Sequence, residues 1–574
     1  MYAQVVVLTY QAPDINYFTY EVPKELEKEI KVGQLVEVPF GKRSPMGVVV
    51  NIETRNTRHE TRNIKTIKPI SKILLNQPLL LPFQIDLVKW MSAYYLAPMV
   101  NCLGVLIPFQ SSKVRPLSFP RPDLVTKKPN LNQPVQSLIL VPTINRIPET
   151  MAKFPKAKNY VVYHNELKTS EKFSTWQKIL SGGVDYIFGS RSAIFAPCPN
   201  LKEIIIYDEH DGAYKDERSP YFDTLTVAQK ISGLTHAQLK IVDPAPKITT
   251  YFQLSNHIKM QQFQTKTKIV SMENERISGN QSPISGYLQE SLEFNIKRGA
   301  SCLLFLNKKK ESGHMFCKSC KHQEFLQTQP ERCTSCRSND VYWNVLNVSS
   351  LAKEVKKMFP QVKVNLLLEK SELSSGTSTP AIDIGTALAI YAPLPKKYNL
   401  VANIQTDSLI NLADYTAGEK FFAQITSLKR LTQPNGELVL QSYNVESGTL
   451  RFAADGNYTG FYLDQLAQRK PLSYPPFGLL IKLAQKGKEG AKIKNVAENL
   501  AKNLRSAINN PQLTILGPYQ SIFWQKKPTY NIILKYKLKS FDLAQREAAI
   551  KKIKGIIGPL QKGWQLIIDP NSIN

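Results

Sequence analysis

The sequence predicts a multidomain α/β protein. It has a β-rich N-terminal domain, two α/β stretches with an inserted metal-binding module, and an α+β C-terminal domain. Three observations predict this. The 574 residues are 42% hydrophobic and 21% charged, enough for three or four cores at about 150 residues per domain. From residue 135 short apolar runs alternate with amphipathic stretches, the pattern of a parallel sheet with crossover helices. Four of the seven cysteines fall in two CxxC pairs.

The elements follow in order. Gln4–Leu8, Gln34–Val38 and Gly47–Ile52 are β-branched runs parted by turn residues, hence strands. Leu81–Tyr95 carries apolar residues at helical spacing. Residues 111–134 hold five prolines and no periodicity, so they read as a linker. Ser137–Val141, Tyr160–Tyr163, Tyr186–Gly189 and Glu203–Tyr207 are the strands of the first α/β stretch. A second stretch opens at Ser301–Leu306, is interrupted by cysteines, and resumes at Tyr342–Val348 with a helix at Leu351–Phe359. The last hundred residues predict helices at Gly490–Ile508 and Leu543–Ile556. Strands are predicted there at Thr514–Leu516, Asn531–Tyr536 and Trp564–Ile568.

Cys317, Cys320, Cys333 and Cys336 form FCKSC, twelve intervening residues and CTSC. Two CxxC turns present four thiolates at the spacing of a tetrahedral, coordinatively closed zinc site. The expectation is one structural Zn2+; free thiols in a loop are the plain alternative. His314 and His322 then read as surface residues. Cys102, Cys198 and Cys302 stand alone and read as small buried hydrophobes.

The net charge is +28, which points to a polyanion through phosphate neutralisation and counterion release. Residues 471–574 carry 17 Lys/Arg against 5 Asp/Glu, while residues 1–110 carry 12 against 9. The basic C-terminal runs Lys526–Lys527, Lys535–Lys539 and Lys551–Lys554 are therefore candidate phosphate contacts, with solvated faces as the alternative. No apolar run approaches the ~18 residues of a membrane span, and MYAQVVVLTY lacks the basic start and cleavage site of a signal peptide. A cytoplasmic protein with no membrane partner is expected.

Several stretches together resemble one family, the primosomal replication-restart helicase PriA. FTYEVP, VGQLVEVPFGKR, MGVVV and YYLAPMVNCLGVLIP resemble its N-terminal domain for DNA 3′ ends. YHNELKTSEKFSTW and GSRSAIFAPCPNLKEIIIYDEHDGAYKDE resemble its first helicase lobe, and CLLFLNKKK with the cysteines resembles its second. LSYPPFGLL, LGP and IIDPNSI resemble its C-terminal domain. The resemblance implies this division: 1–110 the 3′-DNA-end-binding domain, 111–134 a linker without the winged helix, and 135–285 a degenerate RecA-like lobe 1. Residues 286–465 would be lobe 2, with the zinc module at about 308–342, and 466–574 the C-terminal domain.

The departures from the family fall on one reaction. Phosphoryl transfer needs a Gly-rich loop ending in Lys-Ser/Thr, and no G-K-[ST] occurs in the chain. SLILVPTI follows the linker directly, where the family has that loop and its helix. The family's DEEH falls on Tyr207, Asp208, Glu209 and His210, so its leading acid is a tyrosine. SATP becomes Asp243, Pro244, Ala245 and Pro246. The arginines of the second-lobe motif fall on Leu431 and Pro434, with Arg430 beside the first. Asp208, Glu209 and His210 thus read as a degenerate nucleotide site, and neither ATP as a cofactor nor ATPase activity is expected. The family's inner four zinc cysteines are also gone, leaving the outer pairs to share one ion.

What the resemblance leaves is DNA binding. The family's 3′-nucleotide pocket maps onto Phe18, Thr19, Gly41 and Lys65, with Lys42 beside the glycine. A ring can stack a base, a glycine admits backbone, and a lysine meets phosphate. Phe18 could equally be core, Gly41–Lys42 an ordinary turn, and Lys65 a solvated charge. Arg191 in GSRS reads as a lobe residue facing DNA or the interlobe cleft, and Tyr474–Gly478 (YPPFG) as a packing corner. The resulting expectation is a replication-restart primosomal protein that binds branched or forked DNA and DNA 3′ ends without unwinding. Primosome and single-strand-binding proteins are its partners by resemblance. An ATP-dependent 3′–5′ helicase with divergent motifs and a scaffold without DNA binding are the alternatives.

Overall fold

The computed structural model describes residues 1–9, 15–53, 67–109, 135–261, 263, 265–306, 313–320, 322–326, 328–368, 381–391, 397–507, 510–521, 527–558 and 563–574. The linker expected at 111–134 and the candidate Lys65 lie outside the described residues, as does Lys526.

The N-terminal sheet is built from β1 (Tyr2–Val7), β2 (Phe18–Glu21), β3 (Leu35–Glu37), β4 (Met46–Glu53) and β5 (Lys72–Ile73), in the order β2-β1-β4-β3-β5. Its described pairings are antiparallel. Alternate side chains face opposite sides, and both sides are filled. Ala3, Val5, Val7, Tyr20, Val36 and Val49 make one small core. Val6, Leu35, Val48 and Val50 join the large core with helices α1 (Pro82–Tyr94) and α2 (Met99–Leu106). Proline at the first turn of α1 uses a position whose N–H needs no partner. Gln84 caps the helix through the Leu81 N–H at 2.9 Å and donates to Phe195 O at 2.9 Å, joining it to the next domain.

Six strands follow: β6 (Gln136–Leu140), β7 (Tyr160–Tyr163), β8 (Tyr186–Gly189), β9 (Leu201–Tyr207), β10 (Gln238–Val242) and β11 (Ile258–Lys259). They form one parallel sheet in the order β11-β10-β9-β6-β8-β7. This is the first lobe, as expected a parallel α/β sheet. The second is the parallel sheet β12-β20-β19-β13-β18-β17, made of β12 (Lys266–Ser271), β13 (Cys302–Phe305), β17 (Lys363–Leu367), β18 (Ala381–Gly385), β19 (Tyr398–Asn403) and β20 (Thr432–Ser442). Between β13 and β17 a three-stranded antiparallel sheet is inserted, β15-β14-β16, from β14 (Gly313–Cys317), β15 (Gln323–Leu326) and β16 (Val341–Val345). The chain ends in an antiparallel sheet, β22-β23-β21-β24, of β21 (Gly478–Lys486), β22 (Leu513–Gln520), β23 (Thr529–Lys537) and β24 (Trp564–Ile568). Helices Gly490–Ala507 and Leu543–Ile557 accompany it.

The chain divides into two compact units. One holds residues 1–243, 247–259 and 468–574; the other holds 244–246 and 260–467. This corrects the expected boundary between the lobes. β12 pairs with β20 along six residues, so residues 260–285, expected in lobe 1, belong with lobe 2. The sequence pattern around Lys266–Ser271 carries no sign of which sheet will take it.

Within the first unit Arg546 ties three domains together. Its guanidinium is 3% exposed. It donates to Asp569 Oδ2 at 3.1 Å and to Gln229 Oε1 at 3.2 Å, and lies over the rings of Tyr94 and Phe541. Tyr94 also donates to Asp569 at 3.1 Å, and Trp90 Nε1 donates to Glu547 at 2.6 Å. Removing one partner of a buried pair strands the other charge, at a cost of about 3–5 kcal/mol. Arg546→Ala is expected to lower the urea midpoint of the first unit accordingly, and Asp569→Asn added to it should recover part of the loss. An unchanged midpoint in Arg546→Ala would refute the linking role.

Candidate metal centre and nucleic-acid interface

The four cysteines come together at the ends of the inserted sheet. Cys317 closes β14 and Cys320 sits in the turn after it, while Cys333 and Cys336 occupy the turn before β16. Their sulfurs all lie within 4.8 Å of one another, with Cys317–Cys336 at 3.5 Å and Cys320–Cys333 at 3.6 Å. Four sulfurs at ~2.3 Å from a tetrahedral ion stand about 3.8 Å apart, so the spacing fits. It is far longer than the ~2.05 Å of a disulfide. Each CxxC turn aims a backbone N–H at its first sulfur: Cys320 N to Cys317 Sγ and Cys336 N to Cys333 Sγ, both at 3.5 Å. The Cys320 N–H is the first cause that lowers the Cys317 thiol to about 6. These residues can hold a metal ion, and their donor set is compatible with zinc. His322 faces Glu324 at 3.5 Å and is outside the cluster; the side chain of His314 is not among those described. The module's own core is small: Met315, Cys317 and Cys333, with Leu326, Val341 and Trp343 packed on them.

At the N-terminus the structure joins some of the expected residues. Phe18 opens β2 opposite Val5 and meets the Phe40 ring edge-on at 5.0 Å between centroids. Phe40 and Arg43 close a tight turn by two backbone hydrogen bonds, Phe40 N to Arg43 O at 2.8 Å and Arg43 N to Phe40 O at 3.1 Å. Gly41 sits in that turn at φ +64°, where a side chain would be strained, and Lys42 beside it is exposed. Phe18, Gly41 and Lys42 therefore share one rim. Phe18 is half-buried, both packed and reachable. Thr19 is the exception. Phe18 and Tyr20 belong to one face of the sheet, and strand alternation turns the intervening Thr19 to the other.

The residues expected as a degenerate nucleotide site are paired with neighbouring side chains. Asp208 follows β9 at φ +51° and is paired with Arg146 at 2.9 Å. Glu209 is 1% exposed and paired with Lys247 at 2.9 Å. His210 Nδ1 lies 2.8 Å from the fully buried Asp243, which also accepts its backbone N–H at 2.8 Å. Burial raises the Asp208 carboxyl to about 6 against the opposing pull of His210 and Arg146. Burial also raises the Glu209 carboxyl, with Lys247 opposing. Burial alone would lower His210, but Asp243 overrides it and raises the imidazolium to about 9. Tyr207, in the place of the leading acid, has Lys153 4.9 Å above its ring. Three carboxylates thus already face three cations. A magnesium ion would have to displace Arg146, Lys247 and protonated His210.

Two other expected residues make internal contacts. Arg191 lines a cleft of the first unit with its side chain 24% exposed. It donates to Ala213 O at 2.7 Å and Lys215 O at 2.8 Å and pairs with Asp216 at 3.1 Å, which locks the GSRS turn. Gly189 is needed there for space: a Cβ would lie 2.2 Å from Tyr163 O. In the basic C-terminal runs, Lys535 is spent on Leu472 O at 2.6 Å and on the ring of Tyr474. Lys537, Lys539, Lys551, Lys552 and Lys554 remain exposed. The YPPFG stretch is a packing corner, with Phe477 against Phe252 and the buried Arg469 donating to Pro475 O at 3.2 Å. Sequence reasoning missed Arg146, Lys247 and Arg546. Their partners lie 62, 38 and 23 residues away, and no local spacing announces such pairs.

Comparison with known proteins gives one family match and several relatives. Residues 6–108 match the PriA 3′ DNA-binding domain (3′BD). The replication restart protein PriA of Bacillus subtilis is 26% identical over 73% of this chain and 58% of its own length. That of Synechocystis is 26% identical over 76% and 59%. The match thus spans about three fifths of these two relatives. The Rickettsia conorii protein is 23% identical over 88% of this chain and 90% of its own. Among solved structures, yeast Dbp5 bound to RNA and ADP BeF3 aligns with 67% of this chain at 11% identity and a TM-score of 0.32. Among the described residues no helix is long and apolar enough to cross a membrane.

The geometry leads to two expected outcomes. Stripping metal from the purified chain should expose the cysteine module to protease first, because its own core is minimal; equal protection of residues 313–345 with and without chelator would count against a structural ion. The His210–Asp243 pair gives a pH signature. A histidine raised from 6.5 to about 9 in the fold contributes stability fully below 6.5 and loses it as pH rises through 9. The stability gap between native protein and His210→Gln should therefore close between those values in urea titrations, and a pH-independent gap would show that His210 is not charged in the fold.

Proposed function

Because the chain belongs to the PriA family of replication restart proteins, we propose that it binds the 3′ end of a strand at branched or forked DNA and recruits replication proteins without unwinding. The observation that carries the reading is the 3′ DNA-binding domain over residues 6–108, folded with Phe18, Gly41 and Lys42 on one rim. Phe18 stacks the terminal base, the Gly41 turn admits the backbone, and Lys42 meets a phosphate. Lys65 would add a second cation. With Thr19 turned away, the 3′ hydroxyl is held by the rim rather than by a dedicated side-chain acceptor.

The absence of unwinding rests on the three internal ion pairs at Asp208, Glu209 and His210 and on the missing Lys-Ser/Thr loop. Positioning and charge stabilisation are nearly all that an enzyme contributes to phosphoryl transfer. A site with its acids neutralised and no loop supplies neither. The four cysteines hold one structural zinc ion, whose closed coordination leaves no place for a reacting water. The domains run 1–110 for 3′ ends, lobe 1 to 259, lobe 2 with the zinc module to about 465, and 466–574 as a C-terminal domain whose exposed lysines contact phosphate. Primosome and single-strand-binding proteins are the partners.

A fork whose leading strand ends in a 3′ hydroxyl should bind more tightly than one with that hydroxyl blocked. Phe18→Ala should remove the difference, at a cost of about 1–3 kcal/mol for a lost stack. Equal binding of the two forks would sink 3′-end recognition, and no binding even at low salt would favour a scaffold without DNA. Tight ATP binding or DNA-stimulated hydrolysis would establish the divergent helicase instead.

A further inference from the structure

The inserted sheet divides its four thiols by position. Cys317 and Cys333 are buried, at 0% and 2% exposure, and belong to the module's small core. Cys320 and Cys336, the second cysteine of each turn, are exposed. The two kinds are matched across the site. Exposed Cys336 lies 3.5 Å from buried Cys317, and exposed Cys320 lies 3.6 Å from buried Cys333. Each exposed sulfur therefore faces a sheltered one that belongs to the opposite turn.

The sheltered sulfurs are held in place by backbone donors. Cys317 Sγ accepts the Cys320 N–H at 3.5 Å, and Cys333 Sγ accepts those of Ser335 at 3.4 Å and Cys336 at 3.5 Å. The turns are also fastened to each other. The hydroxyls of Ser319 and Ser338 meet at 2.8 Å, and Lys318 N donates to Asp340 O at 2.9 Å. A facing pair of sulfurs thus has to close by only about 1.5 Å to reach the length of a disulfide. The other three cysteines differ in kind. Cys102, Cys198 and Cys302 are buried at 0%, 1% and 0% exposure inside the larger cores, where solutes do not reach them.

We propose that this module is a site of reversible oxidation by peroxide, with exposed Cys320 and Cys336 as the attacking thiolates and buried Cys333 and Cys317 as their resolving partners. In each pair the exposed thiolate attacks a peroxide oxygen, the O–O bond breaks, hydroxide leaves, and the sulfur becomes a sulfenic acid. The buried thiolate of the opposite turn then attacks that sulfur; an S–S bond forms and a second hydroxide leaves. Two electrons pass from each pair of sulfurs to one peroxide. Both disulfides, Cys317–Cys336 and Cys320–Cys333, cross between the turns. They consume the thiolates that hold the ion, so it is released, yet they tie together the same two turns. The inference rests on the reading that the four cysteines hold one zinc ion, and it adds a chemical event that removes it.

The test uses the full chain reconstituted with Zn2+, its metal content measured first, and hydrogen peroxide with a chromogenic chelator present to read release. Each chain should consume about two peroxides and release about one zinc ion, since each peroxide takes two electrons from a sulfur pair. Mass spectrometry of the unreduced digest should find Cys317 joined to Cys336 and Cys320 joined to Cys333. Dithiothreitol with added Zn2+ should restore the thiols and the ion. Dimedone present during oxidation should label Cys320 and Cys336 and leave Cys102, Cys198 and Cys302 untouched. Protease should cut the oxidised module more slowly than the reduced, chelated one, because the disulfides keep the turns joined. A zinc-loaded chain that keeps its ion in excess peroxide overturns the proposal. So do disulfides within one turn, dimedone on Cys317 or Cys333, and equal cutting of the oxidised and chelated modules. A chain that takes up no zinc overturns the parent reading instead.

Discussion

A buried guanidinium organises the first unit. Arg546 is dry, and a dry charge is tolerable only when its partners are fixed. Asp569 supplies the countercharge from the end of β24, Gln229 accepts from lobe 1, and Tyr94 closes the ring from α1. Each partner comes from a different domain, so none of the three can shift without exposing a cost to the other two. Lys215 adds a parallel tie, donating from lobe 1 to Ile568 O at 2.6 Å. The conformation of the IIDPNSI ending follows from this. Asp569 adopts φ +48°, an uncommon state for a residue with a side chain, and it does so where its carboxylate meets both Arg546 and Tyr94.

The acidic cluster at Asp208, Glu209 and Asp243 obeys the same electrostatic rule by other means. A family that binds nucleotide and magnesium can keep several acids close together because the ligand supplies the positive charge. Without that ligand, Asp208, Glu209 and Asp243 would be buried like charges. The chain resolves the conflict internally with Arg146, Lys247 and a protonated His210. Tyr207 in the leading position removes a fourth negative charge outright and offers its ring to Lys153. Arg146, Lys247 and His210 are what make this group of buried acids tolerable.

Much of the fold was legible in the sequence because the strands of the parallel sheets are continuous apolar runs between polar crossovers. Tyr160–Tyr163 and Tyr186–Gly189 were readable to the residue, as was Trp564–Ile568 in the antiparallel C-terminal sheet. The cysteine cluster was legible because its chemistry is local, two turns that each need only three intervals of chain. What depended on sheet membership was not legible. Lys266–Ser271 has the same appearance whichever lobe it joins, and only its pairing with β20 decides. Arg191 has an internal role that its residue type does not announce. Two backbone oxygens and the Asp216 carboxylate take up part of its five donors. The face that Thr19 presents follows from register, which the motif alone does not contain.

The cysteine module and the first lobe differ in what keeps them formed. The module buries few side chains of its own, and small domains commonly draw stability from a metal ion; its four sulfurs are placed to hold one. The GSRS turn needs no such support. With α2 it packs into the large core through Leu103, Leu106, Ile194 and Phe195, and Arg191 fastens it by three polar contacts. One element is therefore held by side-chain packing, and the other by turns whose thiolates can close on an ion.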